Sequence, residues 1–148
     1  TDVAMMCKLG FDIKLEELNE NEKAYCRSAV KNYNALKPAI LEGDQYRLVS
    51  PYSGNHTSTM YVEKDKNKAV VFAFDIHPRY AEKTLPVRLE GLDANKMYRV
   101  KEINGMPGAN SSLQGNGQLY SGEYLMNVGL SLFTTSQLNS RVVEVIAE

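Results

Sequence analysis

Glu42-Gly-Asp-Gln-Tyr-Arg-Leu-Val-Ser-Pro-Tyr52 is where the periodicity of the chain changes, and the fold turns on that change. Upstream of it, Tyr25, Cys26, Ala29, Val30, Tyr33, Leu36, Ile40 and Leu41 recur at helical spacing. At 100° per residue they fill one arc roughly 160° wide, opposite Arg27, Lys31 and Glu42. Asn19 followed by Glu22 is an N-cap oxygen with a reciprocal carboxylate, so the spacing predicts a helix over 19–42. Pro38 inside the pattern predicts a kink or a restart, and Gly43 a left-handed stop.

Downstream the period is two. Tyr46/Leu48, Met60/Val62, Val70/Phe72/Phe74/Ile76, Leu85/Val87/Leu89, Tyr98/Val100 and Val143/Val145 alternate with polar or smaller residues. Turn residues separate these runs at Ser53-Gly-Asn55, Asp65-Lys-Asn67, Gly91-Leu-Asp-Ala-Asn95 and Gly105-Met-Pro-Gly108. Ala69-Val-Val-Phe-Ala-Phe74 is apolar on both faces, which predicts a central strand covered on both sides. Six to eight short strands at hairpin spacing predict a mainly β fold, an antiparallel β-sandwich of Greek-key type preceded by one long α-helix. The polar, glycine-rich stretch from Gly105 to Gly117 predicts a loop of low order.

With 148 residues the chain is about one domain long. Its 17 basic and 18 acidic residues leave a formal charge of −1 and no polybasic run, so it offers no electrostatic footprint for nucleic acid or an anionic membrane surface. No apolar stretch approaches the roughly 20 residues of a membrane helix. The chain begins at Thr1, and Thr1-Asp-Val-Ala-Met-Met-Cys-Lys8 lacks the charged start and cleavage site of a signal peptide, which predicts a fragment of a longer protein. The compartment stays open between bacterial cytoplasm and periplasm.

The residues that carry chemistry are sparse. Cys7 and Cys26 are too few for a disulfide scaffold or a zinc site and are expected as free thiols. His56 and His77 stand alone, with no metal-ligand spacing around them, and are expected as exposed loop residues. Asp44, Asp65, Asp75, Asp93, Glu102 and Glu123 are scattered over turns and strand faces. Among the nine tyrosines, Tyr25, Tyr33, Tyr46 and Tyr98 fall on core faces, while Tyr52, Tyr61, Tyr80, Tyr120 and Tyr124 are candidates for exposure and for stacking sugars. Asn55-His-Thr57 and Asn110-Ser-Ser112 match the glycosylation sequon, a pattern that arises readily by chance.

Four segments carry a family resemblance, in order along nearly the whole chain: Leu9-Gly-Phe-Asp-Ile13, the stretch from Glu42 to Tyr52, Leu85-Pro-Val-Arg-Leu-Glu-Gly-Leu-Asp-Ala-Asn-Lys-Met-Tyr-Arg-Val-Lys-Glu-Ile103, and Tyr120-Ser-Gly-Glu-Tyr-Leu-Met-Asn-Val-Gly-Leu130. They resemble the C-terminal end of glycoside hydrolase family 36, the retaining α-galactosidases with a (β/α)8 catalytic barrel. The resemblance implies that residues 1–43 are the terminal loop and last helix of that barrel, and that residues 44–148 are the β-sandwich appended to it. It also implies that the catalytic aspartates lie upstream of every residue here. No catalytic, cofactor-binding or metal residue is then expected in this chain, including Asp2 and Asp12. The implied partners are the chain's own barrel and, through it, a galactosyl oligosaccharide. The sister activities, α-N-acetylgalactosaminidase and a raffinose-synthesising transferase, stay open, as does an independent carbohydrate-binding or protein-interaction module. A helix severed from its barrel would expose part of its arc, so residues 1–18 are expected to be disordered, folded back irregularly, or buried against a second copy in a homo-oligomer.

Overall fold

A computed structural model describes residues 1–136 and 138–148. Its long helix α2 spans Glu20–Glu42, and its strands are β1 (Asp44–Val49), β2 (His56–Val62), β3 (Lys68–Asp75), β4 (Met97–Glu102), β5 (Leu119–Ser121) and β6 (Asn139–Ala147). Two short helices, α1 (Asp2–Met5) and α3 (Gly122–Asn127), complete the set with a 3-10 turn at Leu15–Glu17. All six strands join one antiparallel sheet in the order β1-β2-β3-β6-β4-β5.

The expected mainly β, antiparallel character is what the chain has. β3 lies between β2 and β6, and strict alternation sends its side chains to two different cores. Ala69, Val71 and Ala73 join Met60, Val62, Val143 and Val145 on one face. Val70 and Phe72 join Tyr61 and Val142 on the other, where Tyr33, Leu36, Ala39 and Ile40 of α2 cover them.

The first face is covered by the crossovers. β3 and β4 both pair antiparallel with β6, so they run parallel to each other and the 76–96 connection must cross the sheet. It lays Val87, Leu89 and Leu92 on that face, and the 122–138 connection adds Leu125, Leu130 and Leu132. The alternation Leu85/Val87/Leu89 predicts a strand; it forms an extended segment joined to the other crossover by the single antiparallel bridge Val87↔Leu130. Among the described residues there is no second sheet to make the expected Greek-key sandwich: the layer over this face is made largely of connections, because the strand order sends both crossovers across it.

The capping pattern is present as read. The Glu22 N–H donates to Asn19 Oδ1 at 3.0 Å and the Asn19 N–H to Glu22 Oε2 at 2.8 Å. α2 runs unbroken through the exposed Pro38 to Glu42, so that residue neither restarts nor ends it. Gly43 does close the helix, but in extended backbone at φ −77° and not in the left-handed region. Space is what demands glycine there, because a Cβ would collide with the carbonyl oxygens of Ala39 and Val62.

Two further expectations are corrected. Within residues 1–18 the first seven are ordered and packed on their own chain: Met5 is buried in the helix-side core, Tyr33 Oη donates to Cys7 O at 2.7 Å, and Tyr61 Oη donates to Met6 O at 3.2 Å. The 105–117 loop is anchored, with Leu113 buried in the crossover-side core and the Glu102 N–H donating to Asn116 Oδ1 at 2.8 Å.

Removing the cap oxygen by Asn19→Ala should lower unfolding free energy by about 1 kcal/mol in urea titration. A loss below a few tenths would show that α2 is held by its packing alone.

Candidate functional site

The carboxylates are dispersed, and most are engaged by nearby donors. Asp44 takes Lys64, Asp65 takes the backbone and side chain of Asn67, and Asp93 takes the Asn95 N–H. Each of these secures a turn or a strand edge. Asp12 and Glu123 lie exposed. Asp2 is buried, with Oδ2 accepting from Asn104 and Ser140, and this ties α1 to β6.

Two polar clusters are deeper. On β4 and β6, Arg141 is 5% exposed and lies with its Nε 3.3 Å from Glu102 Oε1. Its Nη2 donates to Ser112 Oγ at 2.6 Å, and Ser111 Oγ donates to Glu102. The pair fastens the 105–117 loop to the sheet, since both serines belong to that loop.

The second cluster sits at the end of the β2–β3 ladder, where His56 and Asp75 are register partners. His56 is 7% exposed, which corrects the expectation of a solvent-facing loop histidine; His77 is exposed as expected. Asp75, 3% exposed, accepts from Thr134 N–H at 3.0 Å, Thr134 Oγ1 at 2.7 Å and Asn139 Nδ2 at 3.3 Å, and its Oδ1 is 2.8 Å from His56 Nδ1. Phe133 lies over the imidazole at 4.6 Å. Glu82 Oε2 stands 3.6 Å from His56 Nε2 and accepts from the Arg79 N–H at 2.7 Å. That N–H, helped by the Asn55 amide, holds the Glu82 carboxyl below the usual carboxylate range.

Neither cluster has the makings of a metal site. Among the described residues no three His, Cys, Asp or Glu side chains converge. Both cysteines are free thiols.

The tyrosines divide mostly as read. Tyr33 and Tyr98 are buried, and Tyr25 and Tyr46 partly so. Tyr98 bridges the Lys66 carbonyl and the Asp93 N–H, and burial pushes its hydroxyl pKa up. Tyr61, a candidate for exposure, is instead buried under α2, because its register places it on the helix side. Tyr52 and Tyr80 are fully exposed, and Tyr120 and Tyr124 stack on each other at 5.2 Å.

One flank of α2 stays open. Val30 is 42% and Leu41 54% exposed, and Phe11, Ile13 and Leu15 in the preceding segment are exposed too. The apolar arc therefore splits into a buried stripe through Ala29, Tyr33, Leu36 and Ile40 and an uncovered one beside it.

Residues 56–145 match the glycosyl hydrolase family 36 C-terminal domain. A protein of Aspergillus flavus named probable alpha-galactosidase C is 36% identical over 142 residues, covering 95% of this chain and 17% of that protein. Alpha-galactosidase AgaA of Geobacillus stearothermophilus is 32% identical over 133 residues, covering 88% of this chain and 16% of its own length. The crystal structure of the family 36 alpha-galactosidase AgaB from Geobacillus stearothermophilus superposes with a TM-score of 0.82 at 27% identity, over 99% of this chain and 18% of that one. The chain thus spans about a sixth of the length of the curated relatives it matches.

Breaking the buried ion pair by Glu102→Ala should cost about 3 kcal/mol in urea unfolding, because the Arg141 guanidinium is left without a counter-charge. The double variant Glu102→Leu/Arg141→Met should recover most of that loss. Equal losses in the single and double variants would show that charge pairing is not what the site depends on.

Proposed function

The chain belongs to the glycosyl hydrolase family 36 C-terminal domain family, and on that footing we propose that it is the structural C-terminal domain of a retaining α-galactosidase. Its work is to pack on the catalytic (β/α)8 barrel of the parent protein. The parent hydrolyses terminal α-galactosyl residues from oligosaccharides of the raffinose type. Relatives named alpha-galactosidases support this, as does a related family 36 enzyme crystallised in complex with raffinose.

Retention requires two carboxyl groups about 5–5.5 Å apart across the anomeric carbon, one as nucleophile and one as acid/base. The observation that carries a structural role is that the carboxylates of the two polar clusters are held by structural partners: Asp75 by Thr134 and Asn139, and Glu102 by Arg141 and Ser111. Both carboxylates are turned onto neighbouring strands and loops of this domain, and each holds a loop in place. We assign no catalytic residue to this chain, and place the nucleophile and the acid/base in the barrel.

The open flank of α2 supports the docking. Residues 1–43 serve as the terminal loop and last helix of the barrel, and residues 44–148 as the appended domain, with α2 shared between them. Covering about 300 Å² of apolar surface on that flank would contribute several kcal/mol at roughly 25 cal/mol per Å². The competing carbohydrate-binding reading rests on the Tyr120–Tyr124 stack. It gains less support, because the two rings already cover one face of each other.

The chain alone should release no nitrophenol from a chromogenic α-galactoside above the buffer blank, and calorimetric titration with galactose or raffinose should give only heats of dilution. Turnover that survives repurification would overturn the assignment of catalysis to the barrel. Saturable raffinose heat would favour the binding module.

A further inference from the structure

We propose that His56 is a proton-operated latch: in its protonated form the ring holds Asp75 through Nδ1 and clasps Glu82 through Nε2, pinning the 76–84 loop to the end of the sheet. Nothing in the family assignment or in the proposed docking requires it. Asp75 sets the tautomer of the ring. Its oxygens accept from Thr134 and Asn139, so it is a carboxylate, and the proton shared at 2.8 Å with His56 belongs on Nδ1. In the neutral ring Nε2 is then a bare lone pair. That atom is buried, makes no hydrogen bond, and has Glu82 Oε2 3.6 Å away. A lone pair facing a carboxylate is repelled; an N–H in the same place is attracted. Protonation therefore reverses the sign of one contact without any other rearrangement.

The charged groups around the ring favour that switch. Asp75 faces it from β3, and Glu82 faces it from the loop. The cation nearest in the loop, Arg79, lends Glu82 its backbone N–H. From the 122–138 crossover come Phe133, which has no charge, and Thr134, which bonds Asp75. Two carboxylates thus flank one imidazole.

The loop needs holding. Ala81 stands in left-handed backbone at φ +55°, a conformation that a residue with a Cβ adopts only when its surroundings impose it. Glu82 imposes it by capping Arg79 and gripping Asn55 at 3.2 Å. Clasping Glu82 from beneath completes the grip. The latch is closed where the imidazole carries both protons and is released where Nε2 has lost its own. Glu82 stays charged in both forms of the ring, since the Arg79 N–H holds its carboxyl below the usual range.

Amide hydrogen exchange on the 148-residue chain tests this, with rates divided by those of unstructured peptide at the same pH. Protection in the 79–82 segment should be roughly threefold to tenfold greater at about pH 5 than at about pH 8. The difference should vanish in Glu82→Gln, a partly exposed substitution that leaves the core intact, and in His56→Gln. It should persist in His77→Gln. Protection that does not change with pH, or a change that survives in Glu82→Gln or disappears in His77→Gln, would overturn the latch.

Discussion

Everything in this domain answers to β3 being covered on both faces. A strand reading Ala69-Val-Val-Phe-Ala-Phe74 cannot leave either side in water, and the chain solves the two sides differently. One side receives a helix from upstream in sequence, α2; the other receives the two crossovers that the strand order obliges to pass over the sheet. Because β6 inserts between β3 and β4, the connection between them cannot be a hairpin. Its length is what makes it available as a covering layer. Topology and core composition are thus one constraint seen twice.

The polar clusters sit where that arrangement has ends. Arg141 and Glu102 occupy the crossover-side face beside Ala73 and Val143, and the 105–117 loop closes over them. His56 and Asp75 close the first rung of the β2–β3 ladder, where the 76–84 loop and Thr134 fold over the edge. In both places a charge has been taken out of water, and in both the remaining hydrogen-bonding capacity is supplied by a loop. Such groups make a loop conformation specific even when they add little net stability.

What the sequence discloses is local. Asn19 and Glu22 are three residues apart, so the cap could be read to the residue, and the period switch after Gly43 separates helix from sheet. The misreadings concern distant partners. Gly43 looks like a left-handed stop until Val62, on the neighbouring strand, is seen to occupy the space of its missing Cβ. His56 looks like a turn residue because Asp75 is nineteen positions away and Thr134 farther still. Tyr61 reads as exposable because only the β1–β2–β3 register places it beneath α2. The glycine-rich loop reads as slack because nothing near it in sequence announces that Leu113 is a core residue. The fold class was legible; the polar clusters, which depend on strand register, were not.

In the proposed docking α2 faces two ways: one stripe is fixed in the domain core, and the other would meet a barrel in the full-length protein. Leu41, 54% exposed, lies on the second stripe. Introducing Leu41→Asp into the isolated chain and into the full-length protein, and comparing thermal unfolding midpoints, tests that division directly. In the isolated chain the expected loss is no more than about 1 kcal/mol, the propensity and dipole cost of a carboxylate in the last turn of α2. In the full-length protein the docking predicts a midpoint lowered by several degrees, with the domain separating from the barrel. Equal responses in the two contexts, small or large, would contradict it.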